Sequence, residues 1–68
     1  MKLSARNTIK GKIVDVKEGP VNARILVDIG GGNVISSVVT AEAVSDLELA
    51  KDVEVTVVIK SSSVMLAR

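Results

Sequence analysis

The chain of 68 residues contains no histidine, no cysteine and no aromatic residue, although 47% of its residues are hydrophobic. Histidine is the usual proton carrier near neutral pH, and the cysteine thiolate is a common nucleophile and soft-metal ligand. Without them, the groups left for recognition are Ser and Thr hydroxyls, Lys and Arg charges, and backbone amides. We therefore predict a binding protein rather than an enzyme, with no catalytic residues and no metal ion ligated directly by side chains.

The lack of aromatic rings and of a basic excess disfavours nucleic acid as a partner. Modules that bind single-stranded nucleic acid use aromatic side chains as stacking platforms and a basic groove for the phosphates. Here nine Lys and Arg residues are balanced by eight Asp and Glu residues, which leaves a net charge of +1. An OB-type oligonucleotide binder therefore remains only as an alternative, and we expect no nucleic-acid partner.

Long hydrophobic runs are absent as well. No apolar stretch approaches the roughly 18 residues that a membrane-spanning helix requires. Met1-Lys2-Leu3-Ser4 is not followed by the hydrophobic stretch of a signal peptide. We therefore expect a cytoplasmic protein with no membrane partner, and the absence of cysteine is consistent with that compartment.

The small size of the chain leaves a surplus of aliphatic surface. A chain of this size buries only about 60% of the surface that its unfolded form exposes, and no disulfide or aromatic core is available to compensate. Leu26, Val38 and Val58 also fall on the outward parity of their predicted strands. Because exposed apolar patches mark interaction sites, we expect the chain to associate with copies of itself.

Alternation of β-branched residues with a period of two predicts strands that have one inward face. The clearest such segment is 21–29, and the others are 9–16, 34–40, 53–59 and 64–66. In the first segment the apolar parity switches between Ile13 and Val14, which predicts either a β-bulge or a strand buried on both faces. The pattern therefore predicts five strands.

The breaks between these segments predict turns and one helix. Residues 18–20 carry a turn signal, and Gly30-Gly31-Gly32-Asn33 predicts a hairpin, since glycine tolerates positive φ. The glycine run does not match a phosphate-binding loop, because it lacks the Lys-Ser/Thr ending and opens no helix. Thr40 is expected to N-cap a short helix over residues 41–47.

The order of these elements predicts the fold class. Five short strands with one small helix between the third and fourth strands are typical of an OB-like Greek-key barrel. We therefore predict an all-β protein, a five-stranded OB-like Greek-key barrel with one short helix between strands 3 and 4. Residues 1–68 leave no room for a second domain, so a single domain is expected.

Two short segments are rich in hydrogen-bond donors and contain no carboxylate. Ser4-Ala5-Arg6-Asn7 offers a hydroxyl, consecutive backbone amides and a guanidinium, and Lys60-Ser61-Ser62-Ser63 offers an ammonium group beside three hydroxyls. All of these groups can donate to the oxygens of an anion. Spacing alone leaves two alternatives open. In the first, residues 4–7 are an N-terminal stretch before the first strand, with Arg6 exposed to solvent. In the second, residues 60–63 are an ordinary polar turn.

Both segments and their surroundings resemble the molbindins, the small molybdate-binding Mop proteins. The resemblance rests on residues 4–14, 27–33 and 58–65 and extends over essentially the whole chain. It is specific because the Ser-Ala-Arg-Asn opening and the Ile-Lys-Ser closing occur together at this separation. It implies a homohexamer, a trimer of dimers, that binds molybdate and tungstate between subunits without catalysis, for intracellular molybdenum storage or homeostasis.

The resemblance also implies which residues contact the oxyanion. The family's site at the dimer interface corresponds here to Ser4, Ala5, Arg6, Lys60 and Ser61, together with Thr40 of a neighbouring subunit. Some relatives have a serine three residues after that threonine, whereas this chain has Ala43, which removes one hydroxyl contact. A ligand-free assembly module is the other alternative. It would account for the aliphatic faces but not for the two donor-rich segments.

Overall fold

The computed structural model describes residues 7–68, which form a four-stranded antiparallel sheet with the strand order β3-β2-β1-β4. The strands are β1 (Asn7–Glu18), β2 (Asn22–Gly30), β3 (Asn33–Thr40) and β4 (Glu54–Ile59). One α-helix, α1 (Ala41–Asp46), lies between β3 and β4, and a 3₁₀ turn covers Ser61–Ser63. The predicted all-β class and the predicted position of the helix are confirmed.

Strand β1 contains the irregularity that the parity switch predicted. Ile13 pairs with Val27, whereas Asp15 pairs with Leu26, so Val14 is an extra residue in the ladder. A bulge of this kind bends the strand and increases its twist. The first half of β1 consequently pairs with β4 and the second half with β2, and Lys12 pairs with both. The bulge interpretation is therefore confirmed.

The core lies on the inner face of the curved sheet, and it is small. Its buried side chains are Ile13, Ala23, Ile25, Val27 and Val44. The β2 members have the parity that the sequence predicts. The inward residues Val55 and Val57 on β4 are only half-buried, because this strand lies at an edge of the sheet.

A close approach between β1 and β2 requires a glycine at position 11. A Cβ atom there would lie 2.6 Å from Cγ1 of Val27 and 2.8 Å from the carbonyl oxygen of Asp28. Both distances are shorter than real Cβ contacts, and the second neighbour is a backbone atom that cannot rotate away. Gly11 therefore allows the strands to pack at this crossing.

The predicted hairpin at residues 30–33 and the predicted helix cap are both present. Gly30, Gly31 and Gly32 have positive φ values, and the Asp28 carboxylate accepts a hydrogen bond of 2.7 Å from the Gly30 amide. The Thr40 hydroxyl accepts a hydrogen bond of 3.0 Å from the Ala43 amide, as an N-cap does. The helix ends at Asp46, one residue earlier than predicted.

The connection from α1 to β4 is fastened to the middle of β1. The Asp52 amide donates to the carbonyl oxygen of Ile13 at 2.8 Å, and the Ile13 amide donates to that of Val53 at 2.9 Å. Glu48 and Asp52 adopt positive φ in this connection, which is uncommon outside glycine. These bonds place the start of β4 beside the bulge.

The predicted fifth strand is not formed, so the described chain has four strands rather than five. Residues 64–68 follow the 3₁₀ turn in no regular structure, and Val64, Met65 and Leu66 are 47%, 92% and 94% exposed. The physical reason is the direction of the turn, which brings Val64 to a shallow surface groove that it shares with Ile9 and Ile59. The segment therefore does not return along β4, and the barrel remains open between β3 and β4.

Between residues 7 and 68 the structure contains no helix that has both the length and the apolar character needed to cross a bilayer. The helix α1 has six residues, which is about a third of the length that a span requires.

Candidate functional site

The C-terminal donor-rich segment lies at the end of β4. Lys60 and the three serines of the 3₁₀ turn are exposed. The turn is closed by a hydrogen bond of 2.9 Å from the Ser63 amide to the carbonyl oxygen of Lys60. An ammonium group and several hydroxyls therefore face solvent at one place on the surface, on a short and locally closed stretch of backbone.

Three predicted site residues, Ser4, Ala5 and Arg6, lie outside the described residues. The first described residue is Asn7, which pairs with Ile59 in the β1–β4 ladder. The Asn7 side-chain amide also donates a hydrogen bond of 3.2 Å to the carbonyl oxygen of Ile59. Asn7 directly follows the first donor-rich residues, and Ile59 directly precedes Lys60. The ladder therefore places the end of the first donor-rich segment beside the start of the second.

Thr40 lies at the opposite end of the molecule from Lys60. Thr40 pairs with Asn22 at the end of the β2–β3 ladder, next to the point where Glu18 pairs with Ala23. Lys60 follows the pair at the other end of the 12-residue strand β1. A strand rises about 3.3 Å per residue, so the two positions are much farther apart than the few ångströms across which one oxyanion is contacted.

The N-cap hydrogen bond fixes how Thr40 can act. Its hydroxyl oxygen accepts from the Ala43 amide, so the hydroxyl hydrogen remains available to donate. Ala43 itself has a methyl side chain, and its amide is already engaged by the cap. Ala43 therefore provides no donor to a ligand. The family resemblance implies that a hydroxyl contact is lost at this position, and the Ala43 amide does not replace it.

The outward aliphatic residues lie where the strand parity places them. Val38 is 68% exposed and Val58 is 43% exposed, whereas Leu26 is half-buried. Val34, at the start of β3, is also exposed. The prediction that this surface contacts another subunit stays a prediction, but its exposure on the folded chain is confirmed for Val38 and Val58.

Two grooves were not anticipated from the sequence. The first, of about 550 Å³, is lined on its polar side by Lys10, Lys12, Asp28, Glu54 and Thr56. The register places Lys12 opposite both Asp28 and Glu54. Both charge signs are therefore present, and the two carboxylates make this groove a poor site for an anion. The alternation along β1 is enough to predict that Lys10 and Lys12 lie on one face of the strand. Only the register of the ladders shows that Asp28 and Glu54 lie opposite Lys12.

The second groove lies between the two edge strands and is mainly apolar. It has a volume of about 380 Å³, and its lining includes Val39 of β3, Val57 of β4 and Leu49 of the connection before β4. It occupies the place where a fifth strand would close the barrel. No pattern in the sequence could have revealed it, because it results from a strand that is missing from the sheet.

Residues 3–66 match the model of a family described as the TOBE domain. Over 66 residues the chain is 52% identical to a probable molybdenum-pterin-binding protein of Haemophilus influenzae, with 97% of this chain and 96% of the relative covered. It is 42% identical over 66 residues to molybdenum-pterin-binding protein 2 of Clostridium pasteurianum, with 97% of each covered. The chain belongs to this family of TOBE-domain Mop proteins. The resemblance inferred from the sequence is therefore confirmed.

Solved structures of other members have the same fold. MopII from Clostridium pasteurianum superposes with a TM-score of 0.91 at 40% identity, covering 98% of this chain and all of the other. A molybdate-binding protein from Sporomusa ovata gives 0.93 at 28% identity, covering both chains completely. The cytoplasmic molybdate-binding protein ModG, with molybdate bound, gives 0.85 at 39% identity, covering 90% of this chain and 43% of ModG.

Proposed function

We propose that residues 1–68 form one Mop domain that binds molybdate, and tungstate equally, in the cytoplasm. In this proposal the domain assembles as a homohexamer, a trimer of dimers, and the oxyanion sites lie between subunits. The protein is not an enzyme, and its role is molybdenum storage or homeostasis. The observation that carries the proposal is the similarity of the whole chain to molybdenum-pterin-binding and molybdate-binding proteins, and the separation of Thr40 from Lys60 across the sheet supports the assembly.

If Thr40 and Lys60 contact the same anion, as proposed, that separation requires two chains at each complete site. Thr40 and Lys60 lie at opposite ends of the sheet, so one subunit cannot bring both to the same anion. A second subunit that places its Thr40 beside Lys60 and Ser61 of the first would supply the missing hydroxyl. Ser4, Ala5 and Arg6 would join the same site, because the residue that follows them pairs with Ile59.

The chemistry of the donor set fits a metal oxyanion. Molybdate is a tetrahedral dianion at neutral pH, so its four oxygens accept hydrogen bonds and none donates. The proposed site offers hydroxyls, amides, a guanidinium and an ammonium group, without a carboxylate among its residues. Each hydrogen bond to a charged group contributes about 1.5–3 kcal/mol, and micromolar binding requires about −8 kcal/mol. Six donors are therefore sufficient after the cost of desolvation.

The same donor set accounts for selectivity. Phosphate usually carries a proton at neutral pH and needs at least one acceptor, which a site made only of donors does not provide. Sulfate is fully ionised but smaller, so a cavity fixed by packing between subunits rejects it on oxygen spacing. Tungstate has nearly the same size as molybdate and is accepted.

Equilibrium dialysis against molybdate, tungstate, sulfate, phosphate and a short oligonucleotide tests the ligand class. We expect uptake of the first two anions only. Native mass spectrometry tests the assembly, and six copies of the 7.1-kDa chain would appear at about 43 kDa with bound oxyanion. A monomer that takes up no molybdate would overturn the proposal. A stable assembly without oxyanion uptake would instead support the ligand-free assembly module, which the exposed aliphatic residues favour.

A further inference from the structure

A half-buried asparagine occupies the first inward position of β1. The inward positions along the first half of this strand are Asn7, Ile9, Gly11 and Ile13. Asparagine is disfavoured in strands, and burial of its amide costs free energy unless the amide is hydrogen-bonded. A β-branched apolar residue would stabilise the strand better at such a position. The presence of an amide at residue 7 therefore calls for a reason other than the stability of the sheet.

The side-chain amide of Asn7 joins β1 to β4. Its Nδ2 atom donates a hydrogen bond of 3.2 Å to the carbonyl oxygen of Ile59, a residue 52 positions away in the sequence. Because a carbonyl oxygen can only accept, the amide has one orientation at this contact, with its NH₂ group toward Ile59. Asn7 and Ile59 are also the last described pair of the β1–β4 ladder. The bond therefore fastens the ladder at its end, where strands fray most readily.

The Ile59 carbonyl belongs to the peptide unit that leads into Lys60. A peptide unit is planar, so a bond that fixes its carbonyl oxygen also fixes the direction of the Lys60 amide. The 3₁₀ turn that follows is closed by the hydrogen bond from the Ser63 amide to the Lys60 carbonyl, so Ser61 moves together with Lys60. The position of the second donor-rich segment is therefore set in part by the Asn7 side chain.

Asn7 is at the same time the last residue of the first donor-rich segment. The chain runs from Ser4 through Ala5 and Arg6 directly into Asn7. The residue that binds the Ile59 carbonyl is thus covalently attached to three of the proposed site residues. One hydrogen bond therefore sets the spacing between the two chain positions from which the proposed donors extend.

We infer that Asn7 is a positioning residue of the oxyanion site, which holds the two donor-rich segments at a fixed spacing through the Ile59 carbonyl and does not itself contact the anion. This inference rests on the proposed function. A binding site must hold its contacting groups to within about 0.5 Å of the productive geometry, and supporting residues provide that precision. Since sulfate differs from molybdate in size, a site with a looser spacing loses selectivity as well as affinity.

Replacement of Asn7 by valine separates this role from a contribution to folding. Asn7→Val removes the donor but places a β-branched apolar side chain on the inner face, beside Ile9. We expect the urea midpoint, monitored by circular dichroism, to be unchanged or higher. The dissociation constant for molybdate should increase roughly tenfold in isothermal titration. A hydrogen bond that serves the sheet alone would instead lower the midpoint and leave the affinity of the folded protein unchanged, and that result would overturn the inference.

A second variant keeps the shape of valine and restores a donor. Asn7→Thr places a hydroxyl where Asn7→Val has a methyl group, and it should recover most of the lost molybdate affinity. Thr56→Val is the control, because it removes an exposed hydroxyl in the middle of β4, opposite Lys10, and should bind as the unmodified chain does. Equal affinities of Asn7→Thr and Asn7→Val would contradict a role for the donor, even if both variants are less stable.

Backbone ¹⁵N relaxation tests the positioning without any ligand. In Asn7→Val the order parameter of the Lys60 amide should decrease, because its peptide unit has lost the bond to the Ile59 carbonyl. The order parameter of the Thr56 amide, inside β4, should stay the same. A Lys60 amide that is equally ordered in both proteins would refute the inference.

Competition titrations test the predicted effect on selectivity. Sulfate should displace molybdate more readily from Asn7→Val than from the unmodified chain, and an unchanged ratio of the two affinities would count against the inference. The two failures are distinguishable. An unmodified chain that takes up no molybdate overturns the proposed function, whereas an unmodified chain and Asn7→Val that bind molybdate equally overturn only the role of Asn7.

Discussion

Single atoms decide several properties of this protein. The Thr40 hydroxyl accepts the helix-capping hydrogen bond and keeps its own hydrogen for a ligand. The missing Cβ of Gly11 allows β1 to approach Val27 and the backbone of Asp28. Neither residue is unusual in composition, and each acquires its role from its position in the sheet. Substitutions at these positions can therefore separate effects on folding from effects on binding.

Gly11→Ala should destabilise the fold strongly. The added methyl group would lie 2.6 Å from Val27 Cγ1 and 2.8 Å from a carbonyl oxygen, so the strands must move apart. Overpacking of this kind costs about 1–3 kcal/mol, and we expect the upper end because one of the two neighbours is backbone. Urea unfolding monitored by circular dichroism measures the change.

Gly32→Ala is the matched control for that experiment. No atom lies within 4 Å of the position where its Cβ would be, so the added methyl group has space. Its positive φ of 79° still costs about 1–2 kcal/mol in a residue other than glycine. A larger loss for Gly32→Ala than for Gly11→Ala would show that the strand crossing is not as tight as described.

Thr40→Asp should separate the cap from the ligand contact. Aspartate is as good an N-cap as threonine, so the stability of the fold should change by less than about 0.5 kcal/mol. Its carboxylate replaces a donor by a negative charge, so molybdate affinity should fall by at least tenfold. Isothermal titration with molybdate measures this loss, and Thr40→Ser serves as the control that retains both functions. If Thr40→Asp binds as well as the unmodified chain, Thr40 does not contact the oxyanion.

Lys60→Ala should weaken molybdate binding without affecting the sheet. Loss of one hydrogen bond to a charged ligand costs about 1.5–3 kcal/mol, which corresponds to a dissociation constant roughly 10- to 150-fold larger. The side chain is exposed and lies beyond the end of β4, so the unfolding midpoint should be unchanged. Lys51→Ala, at an exposed lysine in the turn before β4, is the control. Equal affinities of the two variants would remove Lys60 from the site.

The elements differ in how far local sequence determines them. Strand β2, the glycine hairpin and the Thr40 cap follow from short patterns, because alternation, positive φ and side-chain capping act over a few residues. The bulge at Val14 was also predictable, since a parity switch within one strand leaves few geometries. These local features gave the all-β class and the place of the helix correctly.

The fifth strand could not be obtained in the same way. Val64, Met65 and Leu66 have the composition of a strand, but a strand forms only where a neighbouring edge accepts its hydrogen bonds. The 3₁₀ turn directs these residues away from the open edge of their own chain. The site has the same limitation. The family resemblance implies Thr40 and Lys60 as site residues, and only the register of the three ladders reveals that they lie at opposite ends of the sheet.

At the scale of the whole molecule, two features of the single chain bear on the proposed assembly. Its buried core comprises five side chains, and its barrel is open along a groove of about 380 Å³. Its proposed binding residues are divided between two ends of the sheet. In the proposed assembly, further copies would cover exposed apolar surface and bring the two ends of the sheet together at each oxyanion site. Binding of the oxyanion and assembly should therefore be thermodynamically linked.

Molybdate should accordingly raise the melting temperature of the protein, and the melting temperature should increase with protein concentration. A ligand that binds only the folded assembly contributes about 2.7 kcal/mol per site at 100 times its dissociation constant. For a domain of this size, each kcal/mol shifts the melting temperature by about 4–8 °C, so an increase of about 10 °C or more is expected. Differential scanning calorimetry at several protein concentrations measures both effects. Phosphate at the same concentration is the control and should give no comparable increase, because it needs an acceptor that the site lacks. An equal increase with phosphate, or a melting temperature independent of protein concentration, would contradict a selective site formed between subunits.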